Sequence, residues 1–160
     1  MDAFIEPQRL VPGDAGELLT LQRAAFVTEA ILHSDLTIPP LYQTFEELVA
    51  ELGDPDVVAL GIRLGTRLVA SVRVRVDGAV GHVGRLMVAP DMQGKGLGTK
   101  LLTILDDELP ASVSRLELFT GSLSVANIRL YERLGYVEEG REPAVNHDMV
   151  HMARPRITQP

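Results

Sequence analysis

The sequence has no cysteine, which excludes a disulfide framework, a zinc–thiolate site and a thiol nucleophile. Positive charge is scarce: 15 Lys and Arg stand against 22 Asp and Glu, a formal net charge of −7. Nucleic-acid binding rests on a basic face that neutralises phosphates, so no nucleic-acid partner is expected. An acidic surface attracts cations, amines among them, and equally serves solubility alone. No apolar run approaches the ~18 residues of a membrane span, so no membrane partner is expected. The opening MDAFIEPQRL lacks the basic and apolar stretches of a secretory signal. Together with the missing cysteines this leads to the expectation of a cytoplasmic protein. Internal repeats and low-complexity tracts are also absent. What remains is a chain of 160 residues, 46% hydrophobic and 23% charged. That composition is ordinary for one globular domain that buries roughly two thirds of its unfolded surface.

Strand and helix patterns alternate along the chain. Residues 4–11 read as a strand weakened by Pro7. Residues 15–32 carry a helical apolar face of Leu18, Leu21, Ala25 and Leu32, with Asp14 as a possible cap. Residues 33–44, with the pair Pro39–Pro40, read as an irregular loop. Thr44 and Glu47 form a capping box that opens a short helix to about Leu52. Three strands follow, at 57–64, 67–76 and 79–88, the last two joined by the turn signal Asp77–Gly78. Residues 97–109 form a strong helix, with Leu97, Leu101, Ile104 and Leu105 on one side. A strand at 114–120 precedes a helix at 124–134, which Ser124 can cap and Gly135 stops. YVEEG and NHDMVHMAR read as two closing strands. The expectation is a single domain over 1–153, a tail over 154–160, and a mixed sheet with helices on its faces, hence α/β (α+β).

Between strand 79–88 and helix 97–109 lies VAPDMQGKGLGTKLL, with Gly94, Gly96 and Gly98 at alternate positions. Glycines there let a backbone approach a ligand closely. The first amides of the next helix lack intrahelical partners, and the helix dipole favours negative charge, so a phosphate or pyrophosphate fits. The dinucleotide fingerprint G-x-G-x-x-G fails, because Thr99 stands at its sixth position. The P-loop also fails, because Gly98-Thr99-Lys100 has the wrong order. A plain strand-to-helix turn is the bland alternative, but one glycine would suffice for it.

With Gln93, Gly96 and Gly98 in this spacing, the chain resembles the GNAT acyltransferase superfamily, whose Arg/Gln-x-x-Gly-x-Gly/Ala pattern holds a pyrophosphate. A second stretch, NIRLYERLGYVEEG (127–140), is similar to the family's Leu-Tyr-Glu-Lys-Leu-Gly-Phe segment, with Tyr136 for the phenylalanine. The resemblance implies a mixed, mostly antiparallel twisted sheet of about six or seven strands with a central splay, flanked by about four helices. It implies acetyl-CoA as co-substrate. Its pantetheine arm would pair with the backbone of Leu86, Met87 and Val88 like an added strand. Its pyrophosphate would lie on Gln93, Gly94, Lys95, Gly96, Leu97 and Gly98, with the Thr99 hydroxyl nearby. Asn127 would reach the pantetheine. Many members have an asparagine where this chain has Ser124.

Acyl transfer from a thioester needs a neutral amine, a donor for the oxyanion and a proton for the leaving thiolate. The resemblance gives Tyr131 the last task, since a phenol near ~10 can protonate a thiolate whose acid is near ~8.5. Periodicity alone allows Tyr131 to be a core aromatic with Ile128 and Leu134. The Val88 N–H is the expected oxyanion donor. His82 stands where some members carry a base, and imidazole titrates near neutral pH; a satisfied sheet histidine is the alternative. Another family base position is occupied by Phe119, with Glu117 sharing its parity, and catalysis without a protein base is also open. Glu29 and Asp35 lie in a segment with the length of an acceptor cover and can attract a cationic amine or simply be solvated. His147 and His151 in a strand would be ~13 Å apart, so no metal is expected. The expected function is transfer of acetyl from acetyl-CoA to a primary amine of a small molecule or peptide by direct attack. The alternative is a non-catalytic CoA-binding regulatory module, against which Tyr131 and His82 argue as acid–base residue types. A homodimer is compatible with the resemblance.

Overall fold

The β-branched run Val57–Leu64 (β2) and the alternating run Arg67–Asp77 (β3) form the sheet's best-paired ladder. The computed structural model of the chain describes residues 3–157. Around that ladder stand β1 (Phe4–Arg9), β4 (Val80–Val88), β5 (Arg115–Gly121), β6 (Val137–Pro143) and β7 (Asp148–Pro155). The sheet order is β1-β2-β3-β4-β5-β7-β6. Every neighbouring pair is antiparallel except β4–β5. Pro7 cannot donate to a ladder, and β1 accordingly sits at an edge with a register shift between Ile5 and Gln8.

The helices are α1 (Ala15–Leu32), α2 (Pro39–Tyr42), α3 (Phe45–Gly53), α4 (Leu97–Glu108) and α5 (Val125–Arg133). None among the described residues is long and apolar enough to cross a membrane. Opposite faces of the sheet carry them. Arg73 of β3 bonds to Gln22 of α1 and Glu51 of α3, which places those helices on one face. Arg154 of β7 bonds to Asp106 of α4 on the other. Leu18, Leu48, Leu101, Leu105 and Leu116 are completely buried between these layers.

Several local expectations change. The Thr44–Glu47 capping box forms, with Thr44 N–H to Glu47 Oε1 at 3.0 Å and Glu47 N–H to Thr44 Oγ1 at 3.1 Å. Asp14 does not cap α1; its Oδ2 accepts from Val11 N–H, 2.8 Å, closing the tight turn ahead of the helix. The loop 33–44 contains the single turn α2, because Pro39 and Pro40 occupy first-turn positions that need no amide donor. The chain stays in the sheet past residue 153. β7 runs to Pro155, and Arg156 donates to the carbonyl oxygens of Leu109 (2.8 Å) and Val113 (3.1 Å). Buried Arg154 pairs with Asp106 at 2.6 Å and lies 5.0 Å from the Tyr136 ring centroid. Residues 158–160 of the expected tail lie outside the described residues.

Candidate active site

Two parallel strands in the middle of the sheet begin together and then part. β4 pairs with β5 only from Val80–Arg115 to Val83–Leu118. Beyond this, β4 bulges: Gly84 faces Arg73 and Met87 faces Ser71, so Arg85 and Leu86 oppose Val72 alone. Arg85 takes the left-handed backbone (φ 53°) that a bulge of this kind can require. Met87 and Val88 stay paired to β3 while their other edge is open. The Ala89 N–H donates to Val69 O, 2.8 Å. Amide direction alternates along a strand, so the Val88 N–H is turned to the open edge.

A cavity of about 1340 Å³ fills the gap. Its lining includes Leu86, Met87, Val88, the glycine turn, the start of α5, Asp35, Thr37 and Ile38 between α1 and α2, and the two prolines that open α2. Single-ligand pockets run to roughly 1,000 Å³, so this one has room for a long ligand and a second, small one.

The glycine turn closes one end. Gly94 (φ 75°) and Gly96 (φ 77°) are both left-handed. A Cβ at either would meet nothing within 4 Å, so backbone conformation rather than crowding calls for glycine. The first amide bond of α4 is Lys100 N–H to Gly96 O, 3.0 Å. That leaves the amides of Leu97, Gly98 and Thr99 without intrahelical partners beside the cavity. Gln93 Nε2 donates to Val88 O, 3.0 Å, and so ties the turn to the end of β4. Gln93, Gly94, Gly96, Leu97, Gly98 and Thr99 all line the cavity. Lys95 is not part of that lining, and its side chain is exposed to solvent.

Tyr131 is a core aromatic, as its periodicity allows, and it also borders the cavity. It packs edge-to-face on Tyr136 with centroids 5.7 Å apart. Burial pushes its phenol well above the usual tyrosine range, and the nearby Tyr136 and Glu29 push it further. The buried phenol is therefore held in its protonated form at neutral pH.

Glu29 sits at the centre of a cluster the sequence reading did not assemble. Ser124 donates its hydroxyl to Glu29 Oε2 instead of capping α5, which corrects the cap assignment. Asn127 lines the cavity, and its Nδ2 lies 3.4 Å from Glu29 Oε1. His33 Nδ1 is 3.6 Å from Glu29 Oε2 and 3.0 Å from Glu29 O. The Leu123 N–H donates to His33 Nε2, 3.2 Å, which leaves Nδ1 to carry the proton toward α1. The His33 ring packs on His147, 4.4 Å between centroids. Asp35 also lines the cavity; hydrogen bonds from the Thr37 side chain (2.5 Å) and N–H (2.8 Å) hold its carboxyl below the usual range. The i, i+4 spacing of Glu29 and His33 was the available signal for this cluster.

Gly121 makes that cluster possible. A Cβ there would lie 2.2 Å from His33 Nε2. Gly121→Ala is expected to expel the imidazole, destabilise the fold by about 1–3 kcal/mol and raise the KM for the acceptor. Urea denaturation and steady-state kinetics measure the two effects.

The structure does not bring His82 to the cavity. Its side chain is 47% exposed, and its Nδ1 is 3.8 Å from Glu117 Oε2. It shares the acceptor-side face with Gly84, which lines the cavity, but stands two residues further down β4. Glu117 is engaged by Arg115 at 2.8 Å, which holds its carboxyl below the usual range and weakens it as a base. Glu117, Glu139 and His151 bring three ligand-type atoms within 4.8 Å of one another. Arg115 pairs with both of those carboxylates, which accounts for their approach as an ion-pair cluster.

A split central sheet with an open strand edge, a glycine-turned helix start and a buried tyrosine around one cavity defines an α/β fold built to hold a long ligand between strands. The chain belongs to the GNAT acetyltransferase family, whose sequence model matches residues 20–136. Among curated proteins it is similar to an IAA acetyltransferase of Azospirillum brasilense, 33% identical over 92 residues. That match spans 56% of this chain and 60% of the relative. Among solved structures, the ribosomal-protein-S18-alanine N-acetyltransferase of Escherichia coli superposes with a TM-score of 0.79 at 21% identity, covering 99% of this chain and 97% of that one. Spermidine N-acetyltransferase of Vibrio cholerae, in complex with CoA and spermine, superposes with a TM-score of 0.73 at 19% identity, covering 96% and 95%. At those identities the structural likeness concerns the fold alone.

Proposed function

We propose that this chain transfers an acetyl group from acetyl-CoA to a primary amine. The observation that carries the reading is convergence. The open edge of β4, the free amides at the start of α4 and the protonated Tyr131 all border one cavity.

The residues fit the coenzyme by chemistry. The Leu86–Val88 end of β4, with the Val88 N–H turned outward, offers an open strand edge to the amides of a pantetheine arm. The amides of residues 97–99 offer donors to a pyrophosphate, aided by the helix dipole. Acetyl-CoA supplies the acetyl group as a thioester. The Val88 N–H donates to the thioester oxygen as it gains charge. Tyr131 gives its proton to the departing sulfur, and the second proton shed by the amine nitrogen as the amide forms restores the phenol. Glu29 holds the incoming ammonium and takes its proton, so that the amine attacks in neutral form.

This assigns the base to Glu29 ahead of His82. Glu29→Gln is expected to lower kcat/KM at least about tenfold and to flatten the acidic limb of the pH–rate profile. His82→Ala is expected to keep that limb. A profile that loses the limb in His82→Ala and keeps it in Glu29→Gln would return the role to His82. A thiol-release assay over a broad amine panel tests the function as a whole. Binding of acetyl-CoA with no thiol released by any amine would favour a regulatory CoA-binding module.

A further inference from the structure

Beneath the wall formed by α1, α2 and α3, Arg73 pairs with Glu51, and the charge of a second arginine, Arg85, acts on both. Arg73 is only 3% exposed. Its Nε donates to Glu51, 3.0 Å, and its Nη2 donates to Gln22 (2.9 Å) and Gln43 (3.1 Å). Its Nη1 is buried without a partner. Arg85, on the bulge of β4, lines the cavity. Its Nε is buried and unpartnered, and its guanidinium makes no hydrogen bond among the described residues. Burial lowers the Arg85 pKa, with Glu51 partly offsetting it. Burial also lowers that of Arg73, to about 10, and the Arg85 charge adds to the effect while Glu51 opposes it.

Such an arrangement is costly unless something completes it. A buried guanidinium that lacks hydrogen bonds and a counter-charge is destabilising, and a second one beside it adds repulsion. The left-handed backbone at Arg85 is a further cost for a residue with a Cβ, and bulges of this kind re-aim side chains beside active sites. The glutamines behind the pair are satisfied: Gln22 Nε2 donates to Pro40 O (2.9 Å) and to Gln43 Oε1 (3.0 Å), and Gln43 Nε2 donates to Glu51 (2.6 Å). Arg85 itself borders the cavity, where a ligand group can meet its guanidinium. Arg85 lies three residues from Val88, ~10 Å along the strand, within reach of the far end of a small acceptor.

We infer that the acceptor amine also carries a carboxylate, and that Arg85 binds it as a forked guanidinium–carboxylate pair, with Arg73 behind it as a positioning residue. The inference rests on the acetyltransferase reading and adds the substrate class to it. Glu29 takes the ammonium end of such an amino acid and Arg85 the anionic end, so that one molecule spans both. A polyamine would bring a second positive charge to the arginines instead.

Matched pairs of acceptors test this. Each amino acid is compared with its amide and with the amine that lacks the carboxyl group, and thiol release gives kcat/KM for each. At least a tenfold preference for the carboxylate member is expected in the pairs the enzyme accepts. Arg85→Asn, chosen because asparagine tolerates a left-handed backbone, is expected to bring that ratio near one through the acceptor KM. Arg85→Lys is expected to retain part of the preference. Calorimetric binding of acetyl-CoA reports on the folding of each variant, and the wild-type ratio is informative even if a variant misfolds. Equal rates within pairs, or a preference for polyamines, would overturn the inference and leave the acetyltransferase reading standing. If acetyl-CoA binds and neither member of any pair releases thiol, the acetyltransferase reading fails and takes this inference with it.

Discussion

Tyr131→Phe is expected to lower turnover at least about tenfold, the scale of a lost general acid, while acetyl-CoA affinity stays nearly unchanged. The substitution removes one oxygen and keeps the aromatic packing on Tyr136, so the cavity wall survives. The pKa direction adds a second observable. Burial raises the Tyr131 pKa, so the protonated form persists in the folded protein to a higher pH than in a free tyrosine. The wild-type rate is therefore expected to show no alkaline limb from this group below pH ~10, the ordinary tyrosine value. Thiol release followed across pH, with coenzyme binding by calorimetry, checks both points. Unchanged turnover in Tyr131→Phe would remove the tyrosine from the chemistry.

Gly96→Ala is expected to weaken acetyl-CoA binding at least about tenfold through the turn rather than through contact. An L-residue at a left-handed backbone position costs roughly 1–2 kcal/mol. The chain relieves that strain by shifting the first turn of α4, and the free amides of Leu97, Gly98 and Thr99 move with it. The Cβ itself would meet nothing, since the space around Gly96 is open. Calorimetric titration with acetyl-CoA measures the loss, and a melting curve separates it from general destabilisation. An unaltered dissociation constant would mean that this turn does not hold the pyrophosphate.

The element order was legible because the periodicities are strong: the run Val57–Leu64 and the leucine face of α4 each point to one structure. The glycine turn was legible because left-handed positions call for glycine. The bulge in β4 was not, since nothing in VGHVGRLMV marks Arg85 as the residue that turns left-handed. Arg73 and Arg75 look alike in an alternating strand, yet Arg73 is buried and Arg75 is exposed. Only the packing of α1 and α3 over one end of the sheet separates them. Ser124 and Asn127 read as a cap and a coenzyme contact because their neighbours in sequence permit it. Their actual partner, Glu29, lies 95 and 98 residues away. Long-range pairing of polar groups is the part of the site that local pattern does not carry.

The most direct test of the account is a single product measurement. The protein is incubated with acetyl-CoA and a panel of primary amines, amino acids included, and released thiol and acetylated amine are quantified together. The account predicts one thiol per N-acetylated product, strictly dependent on the amine. Acetyl-CoA that binds tightly yet yields no acetylated amine across the panel would contradict it.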